Sequence, residues 1–149
     1  MLAFCRLGVA GLAPKAPGTW GTALGCLLAP FCFVPLSFGW RLSLLVVLFV
    51  AGGLAASRAE KLLGRKDPGE VVIDELVGVW IVLLPFAHPG FWVILSAFVC
   101  FRIFDIAKPW PVRASENWLP GGFGVMIDDV LAGLWALLCV ALLYGAGII

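Results

Sequence analysis

Apolar and polar positions in this chain fall into long blocks rather than alternating. The apolar segments run from Trp20 to Phe38, Leu42 to Ser57, Val71 to Phe86, Phe91 to Ile106 and Ile127 to Ile149. Between them lie a glycine-rich entry (Gly8 to Gly21), a charged loop (Arg58 to Glu70), a short uncharged turn (Ala87 to Gly90) and a Pro/Gly-rich loop (Pro109 to Gly124). Blocks of this length without period-two alternation predict helices and argue against a barrel. Several fall short of the ~20 residues that cross a bilayer core at about 1.5 Å per residue. Pro30 and Pro35 interrupt the first as a helix, and Val71 to Phe86 carries two acids near its start and Pro85 near its end. The pattern predicts an all-α fold, a small integral membrane bundle of about four to five apolar helices. It has no internal repeat and no low-complexity tract, and it reads as a single domain over residues 1–149.

Composition supports a membrane setting. The 149 residues are 62% hydrophobic and only 13% charged, with a mean hydropathy of +1.08, too little polar surface to coat a soluble domain. The formal charge of +1 averages over segments of opposite character. No basic stripe interleaved with aromatics is present, which argues against a nucleic-acid partner. Nothing in the chain calls for an obligate protein partner. Cys5, Cys26, Cys32, Cys100 and Cys139 are scattered without a C-x-x-C pair and read as small buried hydrophobes. No basic leader followed by an apolar stretch and a cleavage site opens the chain, so the mature protein is expected to start near Met1. Trp20, Trp40, Trp92, Trp110 and Trp118 sit near segment ends, where interfacial anchoring accounts for them.

Loop charges set the orientation. With five spans, Arg6, Lys15, Arg58, Lys61, Arg65, Lys66, Lys108 and Arg113 fall on one side, which the positive-inside rule makes cytoplasmic; Arg41 is the exception. The same arithmetic brings Thr19, Asp74, Glu75, Asp105, Asp128 and Asp129 to the cytoplasmic ends of their segments. Acids are expensive in or near hydrocarbon, so a chain that collects them on one face has a use for them. The inferred use is holding a divalent cation against a phosphate.

Asp128 and Asp129 open the last apolar segment behind the glycines of Gly121-Gly122-Phe123-Gly124, which let backbone approach a ligand. Asp74 and Glu75 open another; neighbours on a helix point about 100° apart, so one acid can ligate a metal while the other orients a water. For either pair the alternative is favourable placement at the positive end of a helix dipole. Arg102, Asp105 and Lys108 lie along one helical stripe, either as an ion-pair triplet or with Asp105 on the metal and the two cations on the phosphate. Thr19, in Pro17-Gly18-Thr19-Trp20-Gly21-Thr22, is expected to cap a helix whose free N–H groups, with Lys15, cradle an anion. His88 is the only histidine and lies in the turn on the opposite face, which disfavours a histidine nucleophile.

Four stretches occur in order over nearly the whole chain: Ala16-Pro17-Gly18-Thr19-Trp20-Gly21-Thr22; Asp67-Pro68 with Val72-Ile73-Asp74-Glu75-Leu76-Val77-Gly78; Phe101-Arg102-Ile103-Phe104-Asp105-Ile106-Ala107-Lys108-Pro109; and Gly122-Phe123-Gly124-Val125-Met126-Ile127-Asp128-Asp129-Val130-Leu131-Ala132-Gly133. In these the chain resembles the phosphatidylglycerophosphatase A family, with Thr22 standing where that pattern has serine. The resemblance implies a Mg2+-dependent phosphatase of the bacterial cytoplasmic membrane that converts the phospholipid phosphatidylglycerophosphate to phosphatidylglycerol. It carries the family's acidic and basic positions to Asp74, Glu75, Arg102, Asp105, Lys108, Asp128 and Asp129.

On that basis Mg2+ is expected on some of Asp74, Asp105, Asp128 and Asp129, with Glu75 positioning or deprotonating a water and Arg102 and Lys108 neutralising phosphoryl charge. A cation transporter or channel using the same carboxylates is the rival of a different class, but a pathway needs polar groups through the midplane and these spans carry acids at one end only. A CDP-alcohol phosphatidyltransferase is a second rival, and its Asp-Gly-x-x-Ala-Arg opening is missing, since Ile106 follows Asp105.

Overall fold

The computed structural model describes residues 2–66 and 68–149. Met1 and Asp67, the latter part of the Asp67-Pro68 match, lie outside the described residues. The described residues form helices and no strand: α1 (Leu2–Cys5), a 3-10 turn (Ala10–Leu12), α2 (Pro17–Leu28) running into a π-helical turn (Ala29–Phe33), α3 (Phe38–Leu63), α4 (Ile73–Leu83), α5 (Phe91–Ala107), α6 (Val112–Ser115) and α7 (Gly122–Gly145). The all-α expectation holds. Two helices, α3 and α7, are long and apolar enough to cross a membrane.

Four boundaries differ from those read off the apolar pattern, each for a local reason. Strong helix formers carry α3 through Arg58, Glu60 and Lys61 into the expected charged loop, and it stops only where Gly64 takes a left-handed conformation (φ 65°). The Pro30 interruption is milder than a break, because the helix absorbs it as the π-helical turn before ending at Phe33. In the third segment only Ile73–Leu83 is helical, about 16 Å of rise, too short to span a bilayer alone. The expected loop from Pro109 to Gly124 contains α6 and the first turn of α7. Asp128 and Asp129 therefore sit inside α7, nearly two turns past its start, and helix-dipole placement no longer accounts for them.

Short α4 is the centre of the molecule. Every residue of it but Glu75 is buried, and α2, α3, α5 and α7 all pack on it. Its most extensive packing is on α7, and glycine makes it possible. A Cβ on Gly133 would lie 2.6 Å from the Gly78 carbonyl oxygen, and a Cβ on Gly78 would collide with the Phe101 ring of α5. Small residues at such crossings let backbones meet in packed helices.

At the far end from the acids, Arg41 is buried and explains its own exception to the loop-charge rule. Its guanidinium donates to the carbonyls of Leu36 (2.9 Å), Leu84 (3.2 Å), Phe86 (2.7 Å) and Val34, and lies over the Phe33 ring. Those carbonyls terminate α4 and the α2 extension, so one side chain satisfies groups left over at two helix ends. Trp20, Trp40, Trp92, Trp110 and Trp118 are all exposed, whereas Trp80 is buried and donates to the Gly25 carbonyl.

Candidate active site

Asp74 and Gly78 are four apart on α4, and Asp129 and Gly133 are four apart on α7. Residues at that spacing share a helix face one turn apart. Seating Gly133 on Gly78 therefore seats Asp129 beside Asp74, and carboxylate oxygens of Asp74, Glu75 and Asp129 come within 4.8 Å of one another. Asp74 and Asp129 are buried. Helix α5 completes the wall, and a polar cavity of about 260 Å³ opens among the four elements, lined by Asp74, Glu75, Arg102, Asp105, Lys108, Asp128 and Asp129, with Ala16, Pro17 and Gly18 at the start of α2.

The charges inside it are unequal. Arg102 Nη1 lies 2.6 Å from Asp105 Oδ2 and 3.9 Å from Glu75 Oε1. The first contact lacks hydrogen-bond angles, and Nη1 and Nε are both buried without a hydrogen-bond partner among the described residues. Lys108 Nζ donates to Asp128 Oδ2 at 2.6 Å and to Glu116 Oε1 at 2.5 Å. Burial pulls the Lys108 pKa down, but the hydrogen-bonded carboxylates of Asp128 and Glu116 more than offset it and hold the amine above its ordinary range. Lys108 also sits at the end of α5 in a left-handed conformation (φ 44°), uncommon for a residue with a side chain, where it turns the chain and closes the helix through its N–H to the Phe104 carbonyl.

Glu75 Oε2 and Asp129 Oδ2 are buried and accept no hydrogen bond from the described residues. Five carboxylates thus face two cations around one small cavity, with two of their oxygens turned toward no donor among those residues. Buried carboxylates in that state are unfavourable unless neutralised. A divalent cation ligated by hard oxygen donors supplies that charge, so the residues present fit such an ion at Asp74, Glu75 and Asp129.

Seven of the residues singled out from sequence line the cavity, and their grouping is new. Glu75, expected to act on water alone, stands in the metal-sized cluster, while Asp128 is engaged by Lys108 and Asp105 by Arg102. Lys15 and Thr19 do not line the cavity. The expected capping role of Thr19 is corrected: α2 starts earlier, at Pro17, with Ala16 as its N-cap in a left-handed conformation (φ 48°). Proline's fixed φ suits the first helical position and moves the start upstream of Thr19. Thr22 is buried and donates back to the Gly18 carbonyl at 2.9 Å, so its hydroxyl braces the helix start.

Two participants escape a reading of the sequence. Glu116 follows α6 in what reads as a loop, and no spacing ties it to Lys108. A Cβ on Gly18 would collide with Glu75 Oε1, so the α2 backbone presses directly on the cluster. The paired Asp-x-x-x-Gly spacing in α4 and α7 is the available signal for how the acids assemble.

Known proteins resemble this chain over most of its length. The family model for phosphatidylglycerophosphatase A matches residues 3–144. A Bacteroides thetaiotaomicron protein provisionally named phosphatidylinositol-3-phosphatase is 45% identical over 137 residues, covering 88% of this chain and 85% of its own length. The proteins named Phosphatidylglycerophosphatase A of Haemophilus influenzae and Escherichia coli are 40% identical over 130 residues and 37% identical over 126 residues; they cover 87% and 83% of this chain, and 80% and 72% of their own lengths. No solved structure matches.

Proposed function

The chain belongs to the phosphatidylglycerophosphatase A family, and from that premise we propose that it is a Mg2+-dependent lipid phosphatase releasing phosphate from phosphatidylglycerophosphate at the cavity between α2, α4, α5 and α7. The observation that carries this reading is the carboxylate cluster of Asp74, Glu75 and Asp129 facing Arg102 and Lys108 across one cavity. It acts as one domain over residues 1–149. It lies in the bacterial cytoplasmic membrane as a multi-pass protein with its cavity on the cytoplasmic side; two membrane-length apolar helices and the exposed Arg58, Lys61, Arg65 and Lys66 near that end of α3 support this placement.

Asp74 and Asp129, with Glu75 beside them, would hold the cation. When bound, Mg2+ supplies charge neutralisation and Lewis-acid polarisation of the phosphomonoester. Arg102 presents its buried N–H groups to the non-bridging phosphoryl oxygens, and Lys108 adds a second positive charge where charge builds in the transition state. Glu75 Oε2, which accepts no hydrogen bond from the described residues, orients the attacking water and accepts its proton. The water oxygen bonds to phosphorus as the ester P–O bond breaks, and the departing glycerol oxygen takes up a proton. Asp105 holds Arg102 and Asp128 holds Lys108, so both cations face the cavity before substrate enters.

Phosphate release from phosphatidylglycerophosphate in detergent micelles, with and without Mg2+, tests the reading on wild type and Asp129→Asn. Expected are release that needs Mg2+ and its loss, by roughly a hundred-fold or more, in a folded Asp129→Asn protein. Phosphatidylinositol 3-phosphate belongs in the same assay, because the name of the Bacteroides relative points to a second lipid phosphomonoester. A folded wild type inert toward both lipids would sink the proposal.

A further inference from the structure

Besides the polar cavity, two apolar grooves mark the surface. One lies between α3, α4 and α7; no α3 residue lines the polar cavity and no α2 or α5 residue lines that groove, so α4 stands between the two. The other, of about 330 Å³, runs between the 3-10 turn and the outer face of α2, over Ala13, Trp20, Ala23, Leu24 and Leu27. It begins at the same end of α2 as the active site, on another face of the helix: Ala13 lies three residues before Ala16, and Trp20 two after Gly18, while Ala16 and Gly18 line the polar cavity.

We propose that the α2 groove holds an acyl chain of the lipid substrate, an inference that rests on the phosphatase reading above. Trp20, Ala23, Leu24 and Leu27 are spaced i, i+3, i+4 and i+7, one stripe of a helix about 10 Å long. Ala23 is the small residue that leaves the stripe concave, and Trp20 and Leu27, both well exposed, form its ends. The stripe starts at the site end of α2 and leads away from it. A phosphomonoester lodged at Arg102 and Lys108 would have its glycerol near the start of α2, and a chain that passes round that first turn enters the groove.

The groove works by alignment rather than affinity. Lipid tails are as apolar as leucine, so moving a chain from bilayer to groove changes its environment little. What it gains is orientation, which counts toward catalysis when it brings the reacting phosphorus into line. The contribution should therefore appear for substrates with full-length chains and vanish for a phosphomonoester that has none.

The test compares wild type with Ala23→Phe, which fills the concavity, and with Val46→Phe, which fills the α3 groove and serves as the control. Each is assayed on long-chain phosphatidylglycerophosphate in vesicles and on the water-soluble headgroup phosphate without chains. Expected for Ala23→Phe is a loss of about ten-fold on the lipid with the headgroup rate retained, and for Val46→Phe no change on either. A chain-terminal diazirine on the lipid phosphomonoester gives an independent readout, with crosslinks expected in the Trp20–Leu27 stretch and lost in Ala23→Phe. Equal lipid turnover in Ala23→Phe and wild type, or crosslinks concentrated on α3 and α7, would overturn the assignment. A wild type that crosslinks through the α2 stripe but hydrolyses neither substrate would keep the groove and remove the phosphatase reading instead.

Discussion

Replacing Gly133 by alanine adds a single methyl group with no charge and no direct contact to the carboxylates, yet it should disable the site. Its Cβ would stand 2.6 Å from the Gly78 carbonyl oxygen and 3.2 Å from the carbonyl carbon, both backbone atoms that no rotamer change can move. Carbon and carbonyl oxygen ordinarily approach to about 3.3 Å, so α4 and α7 must part by roughly 0.7 Å. Overpacking of this kind costs about 1 to 3 kcal/mol. The separation acts on Asp74 and Asp129 one turn away, and Mg2+ demands near-ideal geometry with distances held to about 0.2 Å. A fall of about 10- to 100-fold in divalent-cation affinity follows, the range seen when groups supporting metal ligands are altered. Titration calorimetry with Mg2+ on the purified protein reads it directly. Gly145→Ala, with no atom within 4 Å of its Cβ, controls for the loss of glycine on α7 itself. Wild-type affinity and activity in a folded Gly133→Ala protein would refute the view that the Gly78–Gly133 contact assembles the cluster.

Arg41→Ala leaves the partly buried carbonyls of Leu36, Leu84 and Phe86 without their donor, and acceptors left in that state cost up to about 1 to 3 kcal/mol each, less where water reaches them. Unfolding in denaturing detergent should show a loss of about 1 to 3 kcal/mol, while phosphatase activity at low temperature survives, because α4 separates Arg41 from the acids by its full length. Lys108 pairs with Asp128, whose side chain is 7% exposed, and with Glu116, which is 38% exposed. Partly exposed pairs are worth about 0 to 1 kcal/mol, so Glu116→Gln should keep activity within roughly five-fold of wild type. Lys108→Met, which removes the cation itself, should cost at least about ten times more in kcat/KM; equal effects of the two substitutions would show that the pairing rather than the charge matters.

Legibility in the sequence depended on whether a feature was local. Membership of the acid set was legible, because carboxylates in a chain this apolar stand out against everything around them. The boundaries of α3 and α7 were less so. Arg58, Glu60 and Lys61 are strong helix formers that a hydropathy pattern counts as loop, and Gly122 opens a helix where glycine usually marks a turn. Which acids meet was not legible at all from their positions relative to apolar segment ends. Position alone does not separate Asp105 and Asp128, each of which has a cation in contact in the fold, from Asp74 and Asp129. Glu116 is the clearest limit: its approach to Lys108 depends on how α6 folds back toward α7, and no periodicity in the chain encodes that.

The pairing of these charges also orders the events at the site. Arg102 and Lys108 are each engaged by a carboxylate before any substrate arrives, and the cavity carries five acids against two bases. A phosphomonoester brings further negative charge of about −1.5 to −2 near neutral pH. Entering the cavity alone, it would meet more carboxylates than cations. With a divalent cation on Asp74, Glu75 and Asp129, the deficit shrinks and the phosphate meets positive charge from both sides. Cation and lipid phosphate should therefore bind with positive coupling, and by linkage each tightens the other by the same factor. The small cavity favours that coupling, because opposite charges within a few ångströms and largely away from water interact far more strongly than they do at an open surface.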